Sequence, residues 1–200
     1  FQVEGDWSQA AFFMAAGALG GNLTLKGLSR SSLQGDREGE RVFCSMGASL
    51  VWKGEDLCVS PGKLEGIAVD AAQIPDLVPI IAAAASLAEG RTSIFGAQRL
   101  RLKESDRLSS MTKAVSALGG TIAERSDGLE ISGVETLHGG KVDGCNDHRI
   151  VMAMAIAALR ADGPVEISDA QSIEKSYPSF FEEYQRLGGK INVIHMGKPD

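Results

Sequence analysis

The chain has 200 residues, of which 44% are hydrophobic and 23% are charged, and its net charge is −6. This composition is typical of a soluble globular protein, and the negative charge excludes general affinity for nucleic acid. The longest apolar runs, residues 77–88 and 150–159, are too short to cross a bilayer and predict buried helices instead. We therefore expect a globular protein that binds neither nucleic acid nor a membrane.

The cysteines and the first residues indicate a cytoplasmic location. Cys44, Cys58 and Cys145 are odd in number and lack the spacing of metal ligands, which predicts reduced thiols. The first five residues include Glu4 and no basic residue, so we expect no signal peptide. The sequence begins without Met in a segment that is already patterned, which indicates a piece of a longer protein.

Three similar segments divide the chain. Each begins with an aspartate followed by an apolar, alanine-rich run that predicts a buried helix. These aspartates are Asp6, Asp76 and Asp147, which lie 70 and 71 residues apart. Strand-like segments follow the runs at residues 23–25, 92–94 and 165–167.

A second, amphipathic helix is predicted in each segment. These helices are expected to begin near Gln34, Glu104 and Glu174 and to end at a glycine after the last apolar residue. Strand-like residues then close each unit, although the third unit is expected to lack its last strand. They lie at 49–52 and 57–60, at 121–123 and 129–132, and at 190–194.

These units predict an α/β fold with a pseudo-threefold repeat of β-α-β-α-β-β units, with buried helices inside and sheets outside. The unit boundaries fall at about residues 1–66, 67–137 and 138–200, within a single domain. We expect the three buried helices to run roughly parallel with their N-termini on one face. The three aspartates and three positive helix ends would then meet there.

The sequence RLKESDRL at residues 101–108 is the first candidate for a functional site. It lies between a predicted strand and a predicted helix, and Arg101 and Lys103 share a face of an extended chain. A helix that begins near Glu104 would place this carboxylate in its first turn, followed by Arg107. Fixed cations beside a carboxylate suit binding of a phosphate or carboxylate with proton transfer nearby. The alternative is a solvated helix start with ion pairs between neighbouring turns.

Three further candidates lie at predicted helix starts. Asp76 suits an N-cap and also a base that faces a bound hydroxyl. Arg149 is unfavourable beside a helix N-terminus, which indicates an anion between the two. Lys175 flanks the start of the last amphipathic helix, as Lys103 flanks the middle one. We expect Lys103, Arg107, Arg149 and Lys175 to converge and, without a ligand, to repel one another and attract anions.

Several motifs together resemble the EPSP synthase family, the 3-phosphoshikimate 1-carboxyvinyltransferases. They are KESDRL at 103–108, NDHR at 146–149, EKSYP at 174–178, GDWSQAA at 5–11 and IPD at 74–76. The resemblance covers essentially the whole chain, and the first motif is highly specific. Family members contain two such domains, so the chain resembles the later one and the first domain would be its missing partner. Gln9 departs from the small residue that is commoner at its position.

The resemblance implies transfer of an enolpyruvyl group from phosphoenolpyruvate to the 5-hydroxyl of shikimate 3-phosphate, with release of phosphate, in aromatic amino-acid biosynthesis. It implies addition and elimination through a tetrahedral intermediate, without a metal or organic cofactor. Asp76 would bind the hydroxyl and accept its proton, Lys103 would contact shikimate 3-phosphate, and Glu104 would protonate the methylene carbon. The cations implied for phosphoenolpyruvate are Arg107, Arg149 and Lys175.

Two other functions stay open. One is a related enolpyruvyl transferase that acts on a nucleotide sugar, against which the KESDR and DHR motifs argue. The other is a non-catalytic anion-binding domain, because the family's active site lies between two domains. We expect the isolated chain to fold but not to turn over substrate, since water screens charges on an open face. An unpaired sheet edge is expected near residues 190–194.

Overall fold

The computed structural model describes residues 3–194 of the chain. Its helices are α1 (Trp7–Gly20), α2 (Glu38–Ser45), α3 (Val78–Ala85), α4 (Arg107–Ala117), α5 (His148–Ala157) and α6 (Phe180–Arg186). Its strands are β1 (Leu23–Leu25), β2 (Ser49–Lys53), β3 (Asp56–Ser60), β4 (Ala68–Asp70), β5 (Arg91–Phe95), β6 (Thr121–Glu124), β7 (Leu129–Ser132), β8 (Gly140–Val142) and β9 (Val165–Ile167).

Helices α1, α3 and α5 form the centre of the fold and lie against one another. Every residue of α3 and α5 is buried, and in α1 only Gln9, Ala10 and Gly20 are not. Their alanine-rich surfaces leave little side-chain bulk between the helices, which allows close packing. The prediction that the three aspartate-initiated helices form the core is confirmed. Four methionines of the helices are fully buried in this packing: Met14, Met111, Met152 and Met154.

Helices α2, α4 and α6 are amphipathic and lie outside this core, as predicted. All three end at the predicted glycines, which have positive φ angles: Gly47 (+100°), Gly119 (+78°) and Gly188 (+101°). In each case the following residue donates its N–H to a carbonyl inside the helix: Ala48 to Phe43 (3.0 Å), Gly120 to Val115 (3.0 Å) and Gly189 to Tyr184 (2.9 Å). The same left-handed helix stop therefore occurs three times, and glycine adopts it without steric cost.

Three sheets cover the helices, which confirms the predicted α/β class. Their strand orders are β1-β3-β2, β4-β5-β7-β6 and β8-β9. The first sheet is antiparallel, the second combines the parallel pair β4-β5 with antiparallel pairs, and the third is parallel. By position β9 matches β5, but within residues 3–194 it has no antiparallel neighbour that corresponds to β7.

Two predicted boundaries are wrong. Residues 190–194 form no strand, because strand backbone needs a paired neighbour and the described residues supply none; among them, β9 has a free edge. The amphipathic helices begin later than predicted, because 3₁₀ turns precede them at Gly35–Arg37, Gln98–Leu102 and Ala170–Lys175. Helix α4 thus starts at Arg107, where Asp106 accepts the Ser109 N–H at 3.2 Å, and Glu104 precedes the helix.

Candidate functional site

The N-terminal ends of the three buried helices meet at Arg149. Its guanidinium donates to the Ser8 hydroxyl at the start of α1 at 3.1 Å and to the main-chain carbonyl of Asp76, before α3, at 3.1 Å. It also lies 3.4 Å from the Asp76 carboxylate. Since Arg149 itself belongs to the first turn of α5, one side chain joins all three helix starts. The predicted convergence on one face is therefore present.

Arg107, the first residue of α4, lies at the centre of the same face with only 1% of its side chain exposed. Its Nε and Nη2 donate to the two carboxylate oxygens of Asp147 at 2.8 and 3.2 Å. Nη1 donates to Asp76 at 2.9 Å, and Nη2 donates to Glu104 at 2.6 Å. Burial disfavours the charged guanidinium, but the Asp147 contacts outweigh it and keep the pKa of Arg107 raised. The side chain is thus a fixed, permanent cation.

Asp76 is surrounded by cations. Besides Arg107 and Arg149, Lys103 places its Nζ 3.2 Å from the carboxylate. Partial burial would raise the pKa of Asp76, but the charges of Arg149, Lys103 and Arg107 overcome it and hold that pKa below its usual value. The side chain does not cap a helix: the 3₁₀ turn Pro75–Leu77 has Ile74 at its N-cap and no side-chain cap bond. The N-cap interpretation of Asp76 is therefore wrong.

Asp147 is the buried carboxylate that holds Arg107 in place. It is fully buried and caps α5 by accepting the Arg149 N–H at 3.0 Å, and it accepts the Ser105 hydroxyl at 3.0 Å. Burial acts to raise its pKa, but the hydrogen bonds and charge of Arg107 hold it below the ordinary value. His148 is buried and its pKa is lowered by burial and then by Arg149, so the ring is neutral at physiological pH.

Lys175 lies at the edge of the cluster rather than in it. It is exposed, at the end of the turn Ala170–Lys175, and its ammonium donates to the main-chain carbonyl of Asn146, immediately before Asp147. Arg101 points away from the site to Asp106 (2.9 Å) and Glu124 (2.6 Å). The expectation that Arg101 and Lys103 share a face is wrong, because the chain around Arg101 is a 3₁₀ turn and not extended.

The expected repulsion among unpaired cations is not observed in the part of the chain that the structure describes. Lys103, Arg107 and Arg149 alternate with carboxylates, so their charges are compensated within the protein: the partners are Asp76, Glu104 and Asp147. The anion expected beside Arg149 is the carboxylate of Asp76. Sequence spacing brought Lys103, Arg107 and Arg149 together correctly. It could not show that Arg107 binds Asp147, and Arg149 binds Asp76, across the unit boundaries.

A cavity of about 420 Å³ opens beside Asp76. Sequence reasoning missed two charged residues in its wall, Asp36 and Arg99. Burial, and then the negative charge of Asp76, raises the pKa of Asp36 to about 6. The repeat contained a signal for it, because Asp36 lies 70 residues before Asp106 and so occupies an equivalent position in the first unit. Among residues 3–194, no group of three or more His, Cys, Asp or Glu side chains is arranged to hold a metal ion.

Fold and site together define an α/β domain whose buried helices direct their N-termini at a cluster of fixed cations and carboxylates. The family model for EPSP synthase (3-phosphoshikimate 1-carboxyvinyltransferase) matches residues 1–184, and the chain belongs to this family. It is similar to proteins named 3-phosphoshikimate 1-carboxyvinyltransferase from Clostridium acetobutylicum (45% identity over 198 residues) and Clostridioides difficile (42% over 199 residues). Each alignment covers 99% of this chain and 46% of the relative.

Solved structures lead to the same family. A structure of EPSP synthase from Acinetobacter baumannii matches with a TM-score of 0.85 and 30% identity, over 96% of this chain and 48% of that one. A second structure of EPSP synthase from the same organism matches with a TM-score of 0.83 and 29% identity. The chain thus spans about half the length of the relatives it matches.

Proposed function

We propose that this chain is one half of an enzyme that transfers the enolpyruvyl group of phosphoenolpyruvate to the 5-hydroxyl of shikimate 3-phosphate. The observation that carries the proposal is the convergence of Lys103, Arg107 and Arg149 on Asp76 at the meeting point of three helix starts. A phosphate and a carboxylate on one small substrate require several fixed cations, and the two buried arginines supply them in pairs of N–H donors. Lys175 extends this positive edge toward solvent.

The roles are those that membership of the EPSP synthase family implies, and the contacts of these residues are compatible with them. Asp76 accepts the proton of the attacking hydroxyl while the hydroxyl oxygen bonds to C2 of phosphoenolpyruvate. Lys103, 3.2 Å from Asp76, contacts shikimate 3-phosphate and assists this proton transfer. Glu104 supplies a proton to the methylene carbon, which gives the tetrahedral intermediate. Cleavage of the bond from C2 to the phosphate oxygen, with return of a proton from the newly formed methyl group to the Glu104 carboxylate, then releases phosphate and restores the double bond. Arg107, Arg149 and Lys175 hold the leaving phosphate and the carboxylate.

The missing half of the protein would close over this face. Lys103, Asp76 and Glu104 have about one third of their side-chain surface exposed, which leaves their charges screened by water. A second domain that covers them excludes this water and adds its own contacts. We propose that residues 1–200 form a single domain of three units, and that this domain alone does not turn over substrate.

A cytoplasmic location is part of this proposal. Cys44, Cys58 and Cys145 are all unpaired, as expected in a reducing compartment. Within residues 3–194, every helix is too short or too polar to cross a membrane.

The test is a phosphate-release assay with saturating phosphoenolpyruvate and shikimate 3-phosphate. We expect no turnover by the 200-residue chain and turnover when it is co-expressed with the remaining half of the protein. A nucleotide sugar in place of shikimate 3-phosphate distinguishes the related transferase. Full turnover by this chain alone would contradict the two-domain argument, and no turnover by the two halves together would contradict the function.

A further inference from the structure

Asp76 occupies the place that a bound anion would take. Its carboxylate lies 2.9 Å from Arg107, 3.2 Å from Lys103 and 3.4 Å from Arg149. The Asp76 side chain is 31% exposed, whereas the Arg107 that it contacts is 1% exposed, so Asp76 is one of the groups that shield the guanidinium, together with Glu104 at 39%. An anion from solvent therefore has to displace a carboxylate before it can contact Arg107.

We propose that Asp76 is an internal substitute for the substrate anion, which the incoming anion displaces from the arginines and thereby frees to act as a base. The displacement rests only on the contacts described above, while the role as a base rests on the proposed function. Anion binding and activation of the base are then a single event, so Asp76 becomes competent only when the anionic substrate is in place.

The same contacts explain why the free carboxylate is a poor base. Three neighbouring cations hold the pKa of Asp76 down, against the effect of its partial burial. A bound phosphate or carboxylate takes over contacts with Arg107 and Arg149 and adds a negative charge close by. Both changes raise the pKa of Asp76 and increase its capacity to accept the hydroxyl proton. Other acids near this carboxylate are Asp36, on the facing turn, and Glu104 and Asp147, which bind the same Arg107 guanidinium.

Asp147, in the same site, is a carboxylate with a structural role and can be compared with Asp76. It is fully buried, binds Arg107 through both oxygens, caps α5 and accepts the Ser105 hydroxyl. The Asp76 carboxylate makes none of these structural contacts among the described residues, since its partners are the three cations alone. Asp147 is therefore a support for Arg107, and Asp76 is a partner that can be exchanged.

A binding experiment with sulfate and the 200-residue chain at pH 7.5 tests whether the Asp76 carboxylate competes with a bound anion. Asp76→Asn removes the competing charge, so we expect sulfate to bind about tenfold more tightly, measured by isothermal titration calorimetry. The matched control is Asp36→Asn, which removes a charge from the same face without touching the cations and should change affinity less than about threefold.

Weaker or equal sulfate binding by Asp76→Asn would overturn the proposal, as would absence of binding by both proteins. An equal gain in Asp36→Asn would also overturn it, because the effect would then reflect net charge alone. Should Asp76→Asn fail to fold, ¹³C NMR of the Asp76 carboxyl in the unaltered chain gives the answer: its pKa must rise when sulfate is added. These readouts involve no turnover, so they stand apart from the phosphate-release assay.

Discussion

Arg107 and Asp147 form a buried ion pair in which two N–H groups of the guanidinium face both oxygens of the carboxylate, at 2.8 and 3.2 Å. The exposed fractions of the two side chains are 1% and 0%. Arg107 belongs to α4 and Asp147 caps α5, so the pair joins two helices and fixes the cation on which the candidate site is built. Neither charge has access to water that could replace its partner.

Loss of one partner should therefore be costly. We expect Arg107→Ala to lower the free energy of unfolding by about 3–5 kcal/mol, because Asp147 is left charged and buried without its partner. Urea denaturation followed by circular dichroism measures the loss. Arg101→Ala is the matched control, since Arg101 lies in the same segment but pairs at the surface. Similar losses for both variants would show that the buried ion pair contributes no more to the free energy of unfolding than a surface ion pair.

Asp36 should give the protein a characteristic pH dependence. Its pKa in the folded protein is about 6, above the ordinary value of 3.8, so between these values the folded state holds a proton that the unfolded state has lost. The Asp36 carboxyl therefore stabilises the folded protein at low pH, and this contribution is lost as pH rises through 6. Asn at this position does not titrate, so the variant keeps its stability over this range. We expect the free energy of unfolding of Asp36→Asn, minus that of the unaltered chain, to rise by about 1 kcal/mol from pH 4 to pH 7, a value reduced for solvent screening.

Urea denaturation at several pH values checks this. The difference between the two proteins isolates Asp36, because Asp76 and Asp147, whose pKa values are lowered, contribute with the opposite sign in both. A difference that stays flat from pH 4 to pH 7 would show that the Asp36 carboxyl is not perturbed.

Glu104 should affect chemistry and leave the fold intact. In the full-length protein we expect Glu104→Gln to reduce kcat about 10²- to 10⁴-fold, the usual effect of removing a proton donor. The side chain is 39% exposed, so thermal stability should change little. Glu135→Gln, an exposed residue remote in sequence, is the control and should keep full activity. Equal kcat values for both variants would show that Glu104 is not the proton donor.

Gly17 in α1 allows the central helix to approach β3. A Cβ at this position would lie 2.8 Å from Cγ1 of Val59. Gly-to-Ala changes inside helices usually stabilise, but here the clash should reverse the sign and cost about 1–3 kcal/mol. Adding Val59→Ala should recover part of the loss, as a double-mutant cycle of unfolding free energies would reveal. Gly20→Ala is the control, since its nearest neighbour is Leu159 at 3.4 Å.

Local patterns in the sequence were sufficient to predict the helices. The apolar runs after Asp6, Asp76 and Asp147 become the buried helices, because a helix that is apolar all round has to be covered. Glycines 47, 119 and 188 end the outer helices, because glycine adopts the left-handed conformation without steric cost. Strand pairing in the third unit was not predictable in this way. Whether residues 190–194 form a strand depends on a neighbour, and no pattern within five residues records its absence.

The candidate site was only partly predictable for the same reason. The helix-start positions of Arg107 and Arg149 place them on one face, which the repeat spacing already indicated. Arg107 takes Asp147 from the third unit and Arg149 takes Asp76 from the second, and such long-range contacts leave no local signal. The start of α4 illustrates the limit: both Glu104 and Asp106 suit a helix start, and only the structure shows that Asp106 accepts the Ser109 N–H.

The contact between Arg149 and Ser8 joins residues 141 positions apart, and the same guanidinium also contacts Asp76. One side chain from the third unit thus binds groups from the first unit and from the second. A fragment without the first unit loses Ser8, and a fragment without the second loses Asp76. The contacts of Arg149 are therefore complete only when all three units are packed against one another.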